Sequence, residues 1–276
     1  MLRTAAAHRG GIYGYAPNVS SWGGSLVTDA AGLHHLFAAE IPGGLRQWAS
    51  HSQCIHATST SPTGPFTRKD TVLKPWCHGP QVVQDPTSKG YVMVHVGTGE
   101  LAPPLPGAVA AAAAGVAAAA AAVPTSSGFM HHSASLDGPW LPAATSPGSC
   151  GMPSAAYHPN GTLFVVCGNG HAITRATSPT STPAWESTWS PQVPLTPHGE
   201  AGNWEDPDLW FDRRENFHIL YHVYTTVQDW HVQRCSGHGW SRDGSNWTFS
   251  SVQPFNCTVA FDDGTSRAFA TRERPV

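Results

Sequence analysis

The sequence predicts an all-β protein built from a repeated sheet, and three observations carry this prediction. The 276 residues include 28 Gly, 24 Pro and 11 Trp, while charged residues make up only 12%. Turn formers and strand-favouring aromatic residues therefore dominate over the residues that fill exposed helix faces. Short apolar runs alternate with polar turns. A hairpin pattern then recurs at a spacing of about 50 residues.

The repeated unit opens with a hairpin. A Pro or Ser begins an apolar strand, a polar turn follows, and a second apolar strand returns. The four copies span residues 24–38, 80–95, 153–166 and 207–222, and a fifth copy opens at residues 274–276. A Ser-rich strand, a turn and an aromatic residue complete each unit, at residues 56–66, 132–140, 174–185 and 239–247. Each unit therefore has about four strands.

Four strands per unit at this period are typical of the blades of a β-propeller, which surround a central channel. We predict a β-propeller of the five-bladed type whose last blade is incomplete, since the chain stops at Val276. The alternative is a four-bladed ring closed by a strand from residues 12–16. We expect one domain over residues 1–276, interrupted by a low-complexity, alanine-rich insert loop at residues 101–127.

The cysteines and asparagines indicate a compartment. Six cysteines without a C-x-x-C pair favour disulfide bonds over a zinc or redox site. The expected pairs are Cys54 with Cys77, Cys150 with Cys167 and Cys235 with Cys257. Four of the seven asparagines occupy N-x-S/T sequons. We predict a secreted or extracellular glycoprotein, although residues 1–8 lack the apolar core of a signal peptide. The alternative is a cytosolic protein with six reduced cysteines.

Charge and hydropathy argue against several classes of function. A net charge of -3 offers no basic surface for a phosphate backbone, so we expect no nucleic-acid partner. No apolar run suits a membrane helix of roughly 20 residues, so we expect no membrane partner. The chain has no nucleophile elbow, P-loop or dinucleotide motif, and its 16 histidines show no H-E-x-x-H spacing. We therefore expect no cofactor and no metal, and the oligomeric state stays open.

At the repeated segments the chain resembles the five-bladed β-propeller glycosidases of glycoside hydrolase families 43, 32, 62 and 68. The resemblance covers residues 22–276. It is carried by Ala-x-Ser followed by Gly-Pro-Phe or Gly-Pro-Trp at residues 57–66 and 134–140, and by the Glu-Asp-Pro-Asp-Leu-Trp opening at residues 205–210. It implies carboxylates at the channel end of the inner strands, commonly in an Asp-Pro pair, that act as base or nucleophile, positioning group and acid. It also implies a structural calcium ion in the channel.

The blade openings depart from the pattern of that superfamily. They lie at residues 22–25, 78–80, 151–153, 205–207 and 273–275, and only the fourth carries Asp-Pro. Where the superfamily places its acids in the first three blades, this chain offers Gly23 or Gly24, Gly79 and Met152. The expected carboxylate triad is therefore missing from its usual places.

Glycosidic cleavage needs two carboxyl groups on either side of the bond. The remaining candidates for catalysis are Asp206, Glu205 and Glu273. Side-chain alternation along a strand predicts that Glu205 and Asp206 face opposite ways and that Asp208 shares a side with Asp206. Flanking arginines would lower the pKa of Glu273, which suits a base or nucleophile. The alternative is a purely structural web of salt bridges and hydrogen bonds along the channel.

A second group of residues is predicted to bind substrate. These residues are Trp22, His78, Trp204, Asp208, Arg272 and Arg274. Aromatic faces match the apolar face of a sugar, but tryptophans also fill gaps between blades, and a histidine in the position of His78 also suits an ordinary hydrogen bond. We predict a glycoside hydrolase-like propeller that acts on poly- or oligosaccharides, so that carbohydrate is its partner. The alternatives are an inactive carbohydrate-binding propeller and a protein-interaction scaffold.

Overall fold

The computed structural model is an all-β propeller that describes residues 17–99, 128–143, 147, 150–168, 171–177, 184–197, 204–223 and 235–269. Its strands form four antiparallel sheets of four strands, each built from consecutive segments of the chain, and one further two-stranded sheet. The predicted propeller is confirmed. The count of five blades is not, because the described residues contain four blades. Residues 274–276, residues 12–16 and the insert at residues 101–127 lie outside the described residues.

The strands follow one another from the channel outwards in each blade. Blade one contains β1 (Val19–Thr28), β2 (His34–Pro42), β3 (Gln53–Ser59) and β4 (Thr67–Leu73). Blade two contains β5 (His78–Gln84), β6 (Tyr91–Val96), β7 (Gly128–Ser133) and β8 (Leu141–Pro142). Blade three contains β9 (Pro153–Tyr157), β10 (Leu163–Cys167), β11 (Ala172–Arg175) and β12 (Val193–Pro194). Blade four contains β13 (Trp204–Phe211), β14 (Phe217–Val223), β15 (Ser236–Ser241) and β16 (Trp247–Phe249).

A hairpin of β17 (Thr258–Ala260) and β18 (Ser266–Ala268) follows blade four. Helical structure in the described residues is short: the helix α1 (Trp48–His51), which a 3₁₀ turn (Leu45–Gln47) precedes, and a second 3₁₀ turn (Ala184–Glu186). None of these helices has the length and apolar character needed to cross a membrane.

One hydrogen bond is repeated from blade to blade along the inner strands. A side-chain oxygen on each of β1, β5 and β9 accepts a hydrogen bond from a main-chain N–H of the next inner strand. The three bonds run from Val82 to Ser25, from Ala155 to Gln81 and from Leu209 to Ser154, at 2.8, 2.5 and 2.9 Å. The inner strands β1, β5, β9 and β13 therefore lie side by side in that order, as the blades of a propeller require.

The segments identified in the sequence as blade openings, at residues 22–25, 78–80, 151–153 and 205–207, have an unusual backbone. One residue there adopts a left-handed conformation in every blade, and these residues are Gly23, Gly79, Met152 and Asp206, with φ of 54°, 58°, 48° and 50°. The register slips around these positions in blades one, two and four, as expected for a β-bulge. The structure thus confirms that the openings compared in the sequence are equivalent. Two of the four are not glycine, although this conformation costs such residues about 1–3 kcal/mol.

Aromatic side chains fill the space between blades. Phe164 of blade three packs edge-on against Phe217 of blade four, with ring centroids 4.8 Å apart, and Phe211 lies 6.0 Å from Phe164. Phe37 of blade one meets Trp140 of blade two at 5.6 Å. Burying each such ring contributes roughly 1.5–3 kcal/mol. The aromatic composition of the sequence is therefore explained by packing between neighbouring sheets.

The three predicted disulfide bonds are present. Their Cα atoms lie 5.4 Å apart for Cys54–Cys77, 4.8 Å for Cys150–Cys167 and 5.5 Å for Cys235–Cys257. All six cysteines are buried. The first bond ties the start of β3 in blade one to the residue that precedes β5 in blade two, so it links neighbouring blades.

Three histidine pairs lie across neighbouring strands. The paired nitrogens belong to His35 and His56, to His95 and His131, and to His218 and His238, at 2.8, 2.8 and 3.0 Å. Burial lowers the pKa of His56 to about 4 and that of His95 to about 4. These buried imidazoles are therefore neutral at physiological pH.

Candidate functional site

The candidate site lies at the end of the ring where the inner strands begin. The four left-handed openings share this end because the inner strands run side by side in the same direction around the channel. Only Asp206 among the four carries a charged side chain. The loop between β2 and β3, which contains α1, lies at the same end, since Trp48 contacts the first residue of β5.

Blade four brings two carboxylates and an imidazole together at this end. Donor atoms of Glu205, Asp206 and His222 all lie within 4.8 Å of one another. Glu205 Oε1 is 3.6 Å from His222 Nδ1. Asp206 and His222 are buried, with 4% and 1% of their surfaces exposed. The two predicted catalytic carboxylates of blade four are therefore neighbours in space as well as in sequence.

The prediction that Glu205 and Asp206 face opposite ways was wrong. Strand β13 pairs Glu205 with His222, but the next pair joins Asp208 to Leu220, so one extra residue is inserted on β13. Asp206 takes up this extra residue with its left-handed backbone. A β-bulge interrupts the regular alternation of side chains, and both carboxylates therefore reach the same cluster.

Asp208, two residues after Asp206 on β13, is hydrogen-bonded to another blade. Gln81 of blade two donates a hydrogen bond from Nε2 to Asp208 Oδ1 at 3.3 Å, although blade three separates the two blades in the ring. Burial raises the pKa of Asp208 to about 6. A carboxyl group with a raised pKa keeps its proton at mildly acidic pH, which is the property required of a general acid. Sequence reasoning placed Asp208 only among the substrate-binding residues.

The cluster of Glu205, Asp206 and His222 has a donor set that a cation can bind. Two carboxylates and one imidazole suit a first-row transition metal, whereas calcium takes six to eight oxygen ligands. The structural calcium that the resemblance implies therefore does not fit this donor set.

Aromatic side chains cluster beside the first residue of β5 in blade two, at the same end of the ring as the candidate site. The indole of Trp48 is 38% exposed and lies 6.2 Å from the ring of Trp76 and 5.2 Å from that of His78. Trp76 Nε1 donates to the carbonyl of Trp48 at 2.9 Å. Ser52 Oγ is 2.8 Å from His78 Nδ1. His78 is thus buried under the exposed Trp48, and Trp76 joins the group without having been singled out from the sequence.

The other predicted substrate-binding residues have varied positions. Trp22 is half-buried in β1. Trp204 is 3% exposed, and its ring packs 5.2 Å from Tyr221 and 5.0 Å from His171. This position favours a packing role for Trp204. Glu273, Arg272 and Arg274 lie outside the described residues.

By fold, the protein is a β-propeller of the type found in the propeller glycosidases, and the resemblance seen in the sequence is confirmed at this level. It is similar to an endo-arabinase from Bacteroides thetaiotaomicron, with a TM-score of 0.55 and 11% identity over 88% of this chain and 86% of that one. It is also similar to a family 117 glycoside hydrolase from Zobellia galactanivorans, with a TM-score of 0.53 and 13% identity over 90% and 74% of the two chains.

A third similar structure is an exo-beta-1,3-galactanase from Phanerochaete chrysosporium, determined with galactose. The TM-score is 0.54 and the identity 10%, over 82% of this chain and 48% of that one, so this chain spans about half of that protein's length. No protein-family model matches the sequence, and neither does any curated protein sequence.

Proposed function

We propose that this protein is a carbohydrate-active propeller that hydrolyses glycosidic bonds in poly- or oligosaccharides, with its acid/base groups on blade four. One observation carries the proposal: Asp206 is buried in a left-handed bulge at the channel end of an inner strand, beside Glu205 and His222. Strained backbone at a cluster of ionisable side chains is typical of functional sites.

We assign the roles of base or nucleophile and of proton donor to different carboxyl groups according to their surroundings. Asp206, with Glu205 next to it, is the proposed base or nucleophile. Asp208 supplies a protonated carboxyl, because burial raises its pKa to about 6. Glu273, which opens the next copy of the repeat, remains a proposed second carboxylate, with Arg272 and Arg274 beside it in sequence. Asp208 and Glu273 are therefore rival proton donors that mutagenesis distinguishes.

The proposed substrate is a sugar chain for two reasons. Similar structures include an exo-beta-1,3-galactanase determined with galactose and a single-residue variant of that galactanase determined with beta-1,3-galactotriose. In this protein, the exposed indole of Trp48 lies beside the first residue of β5, at the same end of the ring as the candidate site, and an aromatic face suits the apolar face of a sugar ring. We propose that Trp48, with Trp22 and His78, borders the substrate site.

A second candidate function is carbohydrate binding without catalysis. It is favoured by the residues at the other three openings, Gly23, Gly79 and Met152, which carry no carboxylate where the resemblance implies one. Binding needs a sugar-sized funnel and aromatic contacts but no pair of carboxyl groups.

We further propose that the protein is a secreted glycoprotein and that a fifth blade completes the ring. Three disulfide bonds support an oxidising compartment. The hairpin β17–β18 follows blade four, and the repeat opens again at residues 274–276. A fifth blade would give Asp208 the same neighbour that Ser25, Gln81 and Ser154 have, the main chain of the next inner strand.

The test is a screen of glycans and chromogenic glycosides with the wild-type protein and with Asp206→Asn, Asp208→Asn and Glu273→Gln variants. The control is Asp70→Asn, which replaces an exposed carboxylate on the outer strand of blade one. Turnover that Asp206→Asn abolishes and Asp70→Asn retains supports the hydrolase. Sugar binding without turnover, unchanged in Asp206→Asn, supports the second candidate. A protein that neither binds nor cleaves any glycan in the screen contradicts both.

A further inference from the structure

Four polar side chains lie in a row at the other end of blade one, away from the candidate site. Asp29, in the turn after β1, places Oδ2 3.4 Å from His35 Nε2. His35 Nδ1 is 2.8 Å from His56 Nε2. His56 Nδ1 is 3.7 Å from Oδ1 of Asp137, which belongs to the turn between β7 and β8 of blade two. This row of side chains therefore crosses from blade one to blade two.

We assign the protons of these four side chains from their hydrogen bonds. Asp29 accepts hydrogen bonds at Oδ1 from the main-chain N–H groups of Ala31 and Leu33, which favour its ionised form. Its Oδ2 then accepts the Nε2–H of His35. In the tautomer in which His35 carries its one proton on Nε2, His35 Nδ1 is an acceptor and His56 donates its Nε2–H to it. His56 Nδ1 is consequently left with a lone pair.

That lone pair faces a carboxylate. His56 is fully buried, and its Nδ1 has no hydrogen-bond donor in the part of the chain that the structure describes. The neighbouring Asp137 oxygen is also an electron-pair donor, and two such atoms at 3.7 Å attract a cation between them. Lys69 Nζ already lies 2.6 Å from the same Asp137 oxygen, which shows that this position draws positive charge.

We infer that His56 Nδ1 and the Asp137 carboxylate form a binding site for a first-row divalent transition metal ion such as Zn²⁺. Bonds of about 2.0–2.2 Å to nitrogen and to oxygen span up to about 4 Å, which accommodates the 3.7 Å separation. His35 and Asp29 hold the His56 ring through its other nitrogen, as the partners of metal-bound histidines do. Water completes the coordination, since the Asp137 side chain is 59% exposed.

The choice of metal follows from the donors. A neutral imidazole is a good ligand for Zn²⁺, Cu²⁺ and Ni²⁺, whereas Mg²⁺ and Ca²⁺ prefer oxygen ligands. Binding displaces the Lys69 ammonium from Asp137 and releases no proton, because both ligand atoms are already deprotonated. This site is independent of the proposed hydrolase activity.

Blade four contains a matched arrangement that serves as a control. Asp212 Oδ2 is 3.4 Å from His218 Nε2, and His218 Nδ1 is 3.0 Å from His238 Nε2. Trp210 stacks on both rings, at 5.2 and 6.0 Å. Among the described residues, no carboxylate faces His238 to form a group of three possible metal ligands, whereas Asp137 faces His56 in blade one. The protein thus contains two Asp-His-His arrangements, one with a carboxylate facing the second histidine and one without.

The test is isothermal titration of the metal-free, full-length protein with Zn²⁺, with Mg²⁺ as a comparison. We expect Asp137→Asn to lower the Zn²⁺ stoichiometry by one, and Asp29→Asn to weaken that ion's binding by about 10-fold. Lys69→Gln should tighten it, because the competing ammonium is gone. Asp206→Asn at the candidate functional site and Asp212→Asn in blade four should leave this ion bound.

Asp137 is exposed, so its substitution tests the site even if His56→Gln fails to fold. Unchanged Zn²⁺ stoichiometry and affinity in Asp137→Asn would overturn the inference. Equal affinity of the site for Mg²⁺ and Zn²⁺ would overturn it as well, since an imidazole ligand would then contribute nothing.

Discussion

Gln81 of blade two donates a hydrogen bond to Asp208 of blade four, from Nε2 to Oδ1 at 3.3 Å. The same side-chain amide accepts a hydrogen bond at Oε1 from the main-chain N–H of Ala155 in blade three, at 2.5 Å. One glutamine thus joins three blades around the channel. It also contacts the carboxyl group of Asp208, whose pKa burial raises to about 6.

This position predicts that Gln81→Met destabilises the fold. The substitution leaves the Ala155 N–H without its acceptor inside the protein and removes a donor from Asp208, and each loss of this kind costs roughly 1–3 kcal/mol. Urea unfolding measures the change in free energy. Gln84→Met is the matched control, since Gln84 is exposed on the same strand. Equal stabilities of the two variants would show that the Gln81 contacts contribute little.

The raised pKa of Asp208 predicts that the free energy of unfolding depends on pH. Its pKa of about 6 in the folded protein exceeds its ordinary value of 3.8 because of burial. The folded state therefore holds this proton more tightly than the unfolded state, so the resulting stability is fully present below pH 3.8 and is lost as the pH rises through 6. Relative to Asp208→Asn, the wild type should lose roughly 1–3 kcal/mol between pH 4 and 7.

The measurement is the free energy of unfolding of both proteins at several pH values in this range. Asp243→Asn is the control: hydrogen bonds from Asn246 lower the pKa of Asp243, so its difference from wild type should stay flat above pH 4. A difference between the wild type and Asp208→Asn that does not vary with pH would mean that Asp208 ionises normally.

Much of the fold follows from the prolines and cysteines. Pro80, Pro153 and Pro207 mark equivalent positions because each follows the left-handed residue of its blade, and a proline at a strand start or a bulge tolerates the loss of its N–H. Disulfide pairing also follows, since the cysteines flank strand ends that meet. The blade count does not follow, because counting blades requires knowing which segments pair, and pairing is a non-local property.

The candidate site follows less completely. Asp206 and Glu205 are predictable as carboxylates at a blade opening, but a bulge overrides the alternation that was used to orient them. The two Asp-His-His arrangements of blades one and four were not predicted, although a sequence signal exists. In both, an aspartate precedes a histidine by six residues, at Asp29 and His35 and at Asp212 and His218. Their pairing partners depend on strand register, which spacing alone does not fix.

Gly237 is predicted to be irreplaceable by alanine. It lies opposite Tyr221 in the β14–β15 pair, and a Cβ at this position would overlap the Tyr221 ring. Tyr221 is buried against Trp204, so it cannot move aside without disturbing the core of blade four. Gly237→Ala should cost about 1–3 kcal/mol, as overpacking of cores does.

Thermal or urea unfolding checks this cost. The combination of Gly237→Ala with Tyr221→Leu should cost less than the sum of the two single changes, because the smaller side chain removes the overlap. Strict additivity of the two changes would contradict a direct contact between these residues.

Trp48 is predicted to contribute to carbohydrate binding. Its indole is 38% exposed at the same end of the ring as the candidate site and contacts Trp76 and His78. A sugar ring stacked on this face would gain about 0.5–1.5 kcal/mol. Trp48→Ala should therefore weaken the binding of an oligosaccharide identified in the screen by roughly 2–10-fold, and Trp48→Phe should weaken it less. Calorimetric titration of the three proteins measures this, with Leu45→Ala as the control because Leu45 is exposed on the same loop. If Trp48→Ala binds the oligosaccharide as tightly as Leu45→Ala does, the exposed indole lies outside the sugar site, and the carboxylates of blade four must be reached from another side of the channel.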